Sequence, residues 1–294
     1  MTTDSLQEAL REHLAWWGLK HITLDHEYFA WQRQLSPNEL ERLTRAAERK
    51  RSGDRCDDMA FYDLAAQPTI FPVLYSQRHE YYQAIGLRTI AHLGQAQDIL
   101  DFGCGPGILT TFYARRFPDV NLVGIDRSAA SIAIAQRKTK ELGLRNLRFI
   151  CQDIEREPLS GFFDMVLTMH ALLQAEQDPG IPSHSWRTFD RADDPSQQAA
   201  FEQRTGLVVR LDRLCQALRP HGRMIVSEKA RQLARRVPFQ RALAGRGLQL
   251  VRPAEPIHYR SIEEVVEDGP FYVLQKGGQA TICWDELPEL DDGV

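Results

Sequence analysis

Residues 98–107 of this 294-residue chain, which read DILDFGCGPG, restrict its fold more than any other segment. An apolar run ends at Phe102, glycines then occupy every second position, and a helix-like pattern begins at Ile108. A strand followed by a tight glycine turn and a helix brings backbone N–H groups close to a nucleotide-like ligand. The segment therefore predicts an α/β fold with a ligand site at the turn.

The glycine spacing departs from the dinucleotide fingerprint G-x-G-x-x-G. Gly103 and Gly105 fit its first two positions, but Ile108 occupies the third and the remaining glycine is Gly107. Pro106 has no N–H to donate, so the turn is a poorer cradle for a pyrophosphate. On the glycines alone, a strand-to-helix turn that binds no ligand stays an alternative.

Composition narrows the class of protein. The chain is 43% hydrophobic and 26% charged with a net charge of −4, so it lacks the basic excess of nucleic-acid-binding proteins. No apolar run approaches the ~18 residues of a membrane span, and the polar N-terminus is unlike a signal peptide. The five cysteines are widely spaced and form no Cys-x-x-Cys pair, which argues against a disulfide framework or a cysteine zinc site. These features predict a cytoplasmic protein without a membrane segment.

The first 95 residues have a mainly helical pattern. Ser36, Pro37 and Glu39 combine an N-cap, a proline at the first helical position and the reciprocal acid of a capping box. The predicted elements are helices over 37–51 and 77–92, with an irregular segment over 52–72. We expect residues 1–95 to form a helical cap packed on the rest of the chain.

From residue 98 onward, short apolar runs alternate with helical patterns. The predicted strands are 98–102, 121–125, 147–151, 164–169, 223–227, 248–253, 256–261 and 271–277. The predicted helices are 107–116, 129–142 and 204–219. This alternation implies βαβ units, a largely parallel sheet and right-handed crossovers. The short link between the last strands predicts a final antiparallel pairing.

Residues at the carboxyl ends of the strands are the candidates for ligand binding in such a sheet. Asp126 follows the second strand, where an acid can accept hydrogen bonds from both hydroxyls of a ribose. Asp153 follows the third strand, where a carboxylate can accept from an exocyclic amine such as that of adenine. Met169 and His170 follow the fourth strand, and Glu228 follows the fifth. Each acid alone could be a solvated strand end or a helix cap, but acids at successive strand ends after a glycine turn are hard to explain by packing.

These segments resemble the class I S-adenosylmethionine-dependent methyltransferases over about residues 95–278. The resemblance lies in DFGCGPG, VGIDRS, CQDIE, FDMVLTMHAL and LRPHGRMIVSE, of which the first motif is the most specific. The chain has Pro220-His221-Gly222 where the family usually has Pro-Gly-Gly. The resemblance implies a Rossmann-like α/β fold: a seven-stranded mixed sheet with the last strand antiparallel, helices on both faces and an N-terminal helical appendage.

The resemblance also implies a cofactor, S-adenosyl-L-methionine, with S-adenosyl-L-homocysteine as the product. The glycine turn would hold its methionine half, Asp126 the ribose, Asp153 and Ile154 the adenine, and Met169 would lie beside the sulfonium. The expected cofactor-binding residues are Asp101, Gly103, Cys104, Gly105, Gly107, Asp126, Arg127, Asp153, Ile154 and Met169. Because this cofactor carries no phosphates, Pro106 is no handicap.

Methyl transfer from a sulfonium is an in-line displacement, so the protein mainly positions the acceptor and removes its proton where needed. His170 and Glu228 are candidate bases at strand ends, and His184 is a third candidate in the long link between those strands. A packing role is the alternative for each of them. The histidines have no metal-ligand spacing, so no metal site is predicted.

Two segments are candidates for the walls of an acceptor pocket. The polar link at 174–203 would be an inserted lid or substrate wall, with an exposed surface loop as the alternative. The aromatic and cationic residues Tyr75, Arg78, Tyr81 and Tyr82 would form the other wall, unless they only anchor a helix. We expect the domain itself to span 96–278 and residues 279–294 to form an acidic C-terminal tail.

The acceptor is narrowed by the motifs that the sequence lacks. There is no NPPY, DPPY or Pro-Cys motif, which disfavours exocyclic amines of bases and C5 of pyrimidines as acceptors. The basic clusters at 42–55 and 229–246 are typical of solvated helix faces, so we expect no nucleic-acid partner. We expect transfer to an O or N atom of a small molecule. A protein or RNA methyltransferase and a non-catalytic cofactor-binding scaffold stay open alternatives, as does the choice between monomer and homodimer.

Overall fold

The computed structural model describes residues 3–51, 54–174, 178–185, 188–191 and 194–278, together with 282 and 284. The described residues cluster into two compact units. The first unit draws on 1–97, 103–152 and 258–266, and the second on 98–102, 153–257 and 267–294.

Helices and strands alternate only after the first six helices. The helices are α1 (Thr3–Trp16), α2 (Asp25–Gln32), α3 (Pro37–Lys50), α4 (Arg55–Ala65), α5 (Phe71–Ser76), α6 (His79–Leu93), α7 (Ile108–Arg116), α8 (Ala129–Glu141), α9 (Pro195–Arg204), α10 (Leu207–Ala217) and α11 (Leu233–Gly245). The strands are β1 (Asp98–Phe102), β2 (Asn121–Asp126), β3 (Leu147–Cys151), β4 (Phe163–Met169), β5 (Ser183–Ser185), β6 (Thr188–Arg191), β7 (Leu218–Ser227), β8 (Leu248–Leu250), β9 (Glu255–Ser261) and β10 (Glu264–Lys276).

The capping box predicted for α3 is present. The Glu39 N–H donates to Ser36 Oγ at 3.3 Å, and the Ser36 N–H donates to Glu39 Oε2 at 2.9 Å. Both hydrogen bonds use backbone donors that the helix itself leaves unsatisfied. The helix predicted over 37–51 is therefore confirmed, and that predicted over 77–92 is confirmed as α6 with a later start.

The irregular segment predicted over 52–72 is wrong, because α4 occupies most of it. Asp54 is the N-cap of this helix, and its Oδ1 accepts from the N–H groups of Cys56 at 2.7 Å and Asp57 at 3.1 Å. Leu64 packs into a core cluster of residues from helices and loops. The members of this cluster are Ile22, Tyr28, Leu35, Leu43, Leu64, Ile70, Val73 and Ile262. Apolar contacts with other helices stabilise a helix whose own sequence is only weakly amphipathic.

In the first unit, β2 and β3 pair in parallel, with Leu122 opposite Leu147 and Asp126 opposite Cys151. The two strands end at the same edge, so the residue after each strand lies on that edge. Asp126 is predicted to follow β2, and in the structure it is the last residue of that strand.

In the second unit, the strands run in the order β1-β4-β7-β10-β8. The β1–β4 and β4–β7 pairs are parallel, whereas β10 is antiparallel to both β7 and β8. The predicted mixed α/β fold with an antiparallel last strand is confirmed.

Several element boundaries in this part of the chain differ from the prediction. β8 ends at Leu250 instead of 253, and β10 begins at Glu264 instead of 271. The strand predicted at 223–227 begins at Leu218, and the Pro-His-Gly segment forms a bulge within it between the pairs Phe163–Leu218 and Met165–Arg223. The helix predicted over 204–219 is interrupted at Gly206, whose φ of +69° favours glycine. Bulges and left-handed glycines leave little trace in hydrophobic periodicity, which explains the errors in β7 and at Gly206.

No helix among the described residues is both long and apolar enough to cross a lipid bilayer.

A buried histidine in the first unit makes stability depend on pH. His13 Nε2 lies 3.0 Å from Trp17 Nε1 and 2.8 Å from the carbonyl oxygen of Ile108, at the contact between α1 and α7. Burial, with smaller effects of Arg115 and Lys138, lowers the pKa of His13 from 6.5 to about 4. The His13 imidazole therefore binds a proton less readily in the folded state than in the unfolded chain.

We expect the free energy of unfolding to fall as the pH drops from 6.5 towards 4, because the unfolded chain gains a proton that folded His13 does not. His13→Gln removes this contribution, which is at most about 3 kcal/mol. Urea unfolding of both proteins at several pH values measures the difference in slope. Exchange of the exposed His258 for Gln is the matched control, and an equal slope for wild type and His13→Gln would contradict the assignment.

Candidate functional site

The glycine turn in the first unit adopts a backbone that other residues rarely take. Gly103, Gly105 and Gly107 have φ angles of +72°, +55° and +81°. The N–H groups of Gly103 and Cys104 donate to the Ile125 carbonyl at 2.8 and 3.1 Å, and the Gly107 N–H donates to the Cys104 carbonyl at 3.0 Å. Three left-handed residues on alternate positions reverse the chain and lead directly into α7.

Space is limited on one side of the turn and open on another. A Cβ at Gly107 would lie 2.4 Å from Phe149 Cζ, and a Cβ at Gly124 would lie 2.4 Å from Cδ1 of the same ring. A Cβ at Gly105 would meet nothing within 4 Å. Gly107 therefore allows the helix to pack closely, whereas Gly105 faces space that a ligand can enter.

Asp126 ties β2 to the turn. Its Oδ2 accepts from the Gly105 N–H at 2.9 Å, and its Oδ1 accepts from the Ser128 N–H at 2.8 Å. Burial raises the pKa of Asp126, while these N–H bonds favour the ionised form. A carboxylate has about four acceptor sites. The N–H groups of Gly105, Ser128 and Arg127 use three of those of Asp126, which leaves one for a ribose hydroxyl.

The residues after Asp126 hold α4. Arg127, one of the expected cofactor-binding residues, forms an ion pair with Asp58. Ser128 Oγ donates to Asp63 Oδ1 at 2.6 Å. These contacts fasten a helix of the N-terminal region to the loop that carries Asp126.

The four residues expected to form an aromatic wall also lie in the first unit. The Arg78 guanidinium carbon is 4.2 Å from the centre of the Tyr81 ring and 5.8 Å from that of Tyr82. Burial raises the pKa of Tyr82 to about 12. Burial raises the pKa of Tyr75 as well, and the charge of Asp126 adds to this effect, which places Tyr75 near the turn.

Four expected cofactor-binding residues lie in the second unit. Asp101 is buried in β1 opposite Leu167, and Met169 ends β4. Asp153 Oδ1 accepts from the Glu155 N–H at 3.1 Å, and Ile154 is buried. Met169 thus ends its strand and Asp153 and Ile154 follow β3, whereas Asp101 lies within β1.

Glu228 holds the backbone that follows β4. Its Oε1 accepts from the N–H groups of Ala171 and Leu172 at 2.7 Å each, and its Oε2 accepts from that of Leu173 at 3.4 Å. Burial raises the pKa of Glu228 to about 7 despite these hydrogen bonds. Arg210 donates to the carbonyls of Ala171 and Leu172 at 3.0 and 3.1 Å. Glu228 thus binds the N–H groups of residues 171–173, and Arg210 binds the carbonyl groups of residues 171 and 172.

His170 contacts an acid that sequence reasoning missed. Its Nε2 lies 2.7 Å from Asp268 Oδ2, and the two side chains are 9% and 3% exposed. Burial acts to raise the pKa of Asp268, but the His170 imidazole beside it lowers that pKa overall. Asp268 precedes the apolar part of β10 by only two residues, and no motif in the sequence links it to His170.

The remaining candidate base, His184, lies in β5, and its side chain is outside the described part of the structure.

The sequence predicts no metal site. Within the described ranges, no group of three or more His, Cys, Asp or Glu side chains is placed to hold a metal ion.

A family model and several curated proteins match part of this chain. Residues 99–185 match a family model described as a methyltransferase domain. Over 88 residues the chain is 38% identical to trans-aconitate 2-methyltransferase of Deinococcus radiodurans, covering 30% of this chain and 32% of the relative. Over 79 residues it is 35% identical to tRNA (guanine-N(7)-)-methyltransferase of Rubrobacter xylanophilus, covering 26% and 35%. The chain thus matches about a third of the length of these curated relatives.

Solved structures extend the similarity to the fold. Mitomycin 7-O-methyltransferase MmcR superposes with a TM-score of 0.51 at 16% identity, over 82% of this chain and 68% of that structure. Residues 99–185 are thus similar to a methyltransferase domain, and the fold is similar to that of MmcR. The methyltransferase domain match includes the glycine turn and Asp126, and it ends within β5.

The geometry of the turn predicts a large difference in stability between substitutions at two glycines of the matched segment, Gly107 and Gly143. Gly107→Ala combines φ +81° with a clash against Phe149, whereas Gly143→Ala combines φ +65° with open space. We expect Gly143→Ala to cost about 1 kcal/mol and Gly107→Ala roughly 1–3 kcal/mol more. Urea unfolding measures both values.

Phe149→Leu supplies the control, because shortening this ring relieves the clash. In that background the extra cost of Gly107→Ala should fall. Equal costs for the two single glycine variants would show that Phe149 does not limit the turn.

Proposed function

We propose that this chain is an S-adenosylmethionine-dependent methyltransferase that acts on an O or N atom of a small molecule. The observation that carries the proposal is the Asp126 carboxylate, which is bound to the Gly105 N–H at 2.9 Å. This contact brings an acceptor for ribose hydroxyls next to an open, left-handed glycine turn inside a methyltransferase domain.

The residues present fit the cofactor. The turn around Gly105 leaves open space where a side chain would stand, and the backbone there can approach the methionine half closely. Asp126 would hold the ribose, and Asp153 with Ile154 would line the adenine. When bound, the sulfonium of S-adenosylmethionine supplies a methyl group that is already activated for displacement.

We infer that His170 acts on the acceptor. Glu228 and Arg210 hold residues 171–173 in one conformation, so His170 at the start of this segment is presented from a rigid backbone. His170 would take the proton of an acceptor O–H or N–H as the new bond forms. A positioned base of this kind contributes about 10²–10⁴-fold to the rate.

A small acceptor is favoured by the charge of the chain. The chain has a net charge of −4, which gives no general attraction to nucleic acid. The relatives act on acceptors as different as trans-aconitate and a tRNA guanine by their names, so their acceptors do not decide this one.

Cofactor binding provides the first test. We expect the wild type to bind S-adenosylhomocysteine with a micromolar Kd, and Asp126→Ala to weaken binding roughly 10–100-fold because hydrogen bonds to ribose are lost. Isothermal titration calorimetry measures both constants. Asp119→Ala, which removes an exposed acid before β2, is the matched control.

Thermal melting of each variant separates a lost contact from a lost fold, and Asp126→Asn keeps the size of the side chain if the alanine variant is unstable. Absence of binding to the wild type, or equal binding to Asp126→Ala, would refute the cofactor assignment.

Transfer itself is tested with methyl-labelled S-adenosylmethionine and a cell extract, followed by separation of metabolites, protein and RNA. We expect label in the metabolite fraction, since the proposed acceptor is small. Label in protein or RNA would overturn that choice while supporting methyl transfer. Absence of transfer by a protein that binds the cofactor would favour the non-catalytic scaffold.

A further inference from the structure

One arginine of α10 contacts two segments that follow different strands of the second unit. Arg210 Nε donates to Glu155 Oε1 at 2.8 Å, in the segment after β3. Arg210 Nη1 donates to the carbonyl oxygens of Ala171 and Leu172 at 3.0 and 3.1 Å, in the segment after β4. Because the guanidinium is planar, these three hydrogen bonds attach both segments to one rigid group.

We propose that Arg210 is a positioning residue that links segment 153–155, which would line the adenine, to segment 171–173, which follows His170. A cofactor bound against the first segment then holds the second segment in place before the acceptor arrives. This inference rests on the proposed function, because the contact of 153–155 with the cofactor is part of that proposal.

Segment 153–155 is attached to α10 at a second point. Arg213 lies three residues after Arg210, and its Nη1 donates to the Ile154 carbonyl oxygen. Residues three apart on a helix lie on the same face, so α10 presents both guanidinium groups to this segment. Ile154 itself is buried. A shift of segment 153–155 therefore breaks contacts with α10.

Segment 171–173 lies outside helices and strands, and side chains bind its backbone groups. Glu228 accepts hydrogen bonds from all three of its N–H groups, while Arg210 donates to two of its carbonyl oxygens. The next residue, Gln174, donates its N–H to the Thr205 carbonyl at 2.8 Å, just before α10 begins. Opening of this segment thus requires that Arg210 and Glu228 release it.

Burial makes the ion pair between Arg210 and Glu155 an effective link. The two side chains are 7% and 17% exposed, so water screens their attraction little. A guanidinium that loses its carboxylate in the interior is strongly disfavoured. Arg210 therefore follows a displacement of Glu155, and the carbonyl groups of residues 171 and 172 lose their donor.

Hydrogen exchange of the full-length protein tests the link without a known acceptor. If opening of 171–173 requires release of the cofactor, S-adenosylhomocysteine slows exchange there by a factor that approaches 1 + [L]/Kd, roughly 100-fold at 100 times Kd. We expect the wild type to show at least about tenfold slowing over both segments at this concentration. Mass spectrometry of peptides that cover 153–155 and 171–173 measures the rates.

Arg210→Met removes the link while keeping an apolar side chain of similar length. At 100 times its own Kd, we expect slowing over 171–173 to fall below about twofold in this variant. Slowing over 153–155 should persist, because Arg213 still holds the Ile154 carbonyl. A role of Arg210 in general stability alone would change exchange equally with and without the cofactor.

Arg246→Met is the matched control, because it breaks an equally specific ion pair beside α10. Arg246 is 17% exposed and pairs with Glu202 at 2.8 Å and with Asp212 of α10 at 2.6 Å. Those two acids lie outside both linked segments. We expect this variant to keep the wild-type slowing over 153–155 and 171–173.

Slowing over 153–155 without slowing over 171–173 in the wild type would overturn the inference without any variant. Equal slowing over 171–173 in the wild type and in folded Arg210→Met would overturn it as well. If Arg210→Met does not fold, Glu155→Gln replaces it, since this change weakens the link and leaves Arg210 in place. Failure of the wild type to bind S-adenosylhomocysteine in calorimetry would overturn the proposed function and this inference together.

Discussion

The hydrogen bond from the Gly105 N–H to Asp126 depends on a backbone constraint that organises the first unit. The donor reaches the carboxylate only because three alternate glycines take positive φ angles and reverse the chain between a buried strand and α7. The same loop from β2 carries Arg127 and Ser128, which hold α4 through Asp58 and Asp63. One turn thus determines both the proposed cofactor contact and the attachment of an N-terminal helix.

The second unit places charged groups where burial alone would exclude them. Glu228 is buried, and three backbone N–H groups satisfy its carboxylate. Asp268 is buried beside His170 and the Gly269 N–H. Burying a charge without such partners would cost several kcal/mol. The hydrogen bonds to Glu228 and Asp268 therefore allow both carboxylates to lie in the interior.

Local signals in the sequence predicted a large part of the fold. The caps of α3, the apolar strands from β1 to β4 and the glycine turn all depend on neighbouring residues, and the structure has each of them. The helix α4 was missed because its Asp54 cap precedes a weakly amphipathic segment that long-range packing stabilises. The bulge in β7 was missed because an extra segment in a strand changes pairing without changing composition.

The sequence by itself predicted an α/β fold that resembles the class I methyltransferases, with its glycine turn and an acid at the end of β2, since these features need only short-range spacing and residue type. Tertiary structure decided which side chains meet. Nothing in the sequence around Asp58 and Asp63 distinguishes them from surface acids. Their contacts with Arg127 and Ser128 arise from the packing of α4. Asp268 became the partner of His170 only because an antiparallel β10 returns to the edge where β4 ends, and no local pattern encodes the pairing of distant strands.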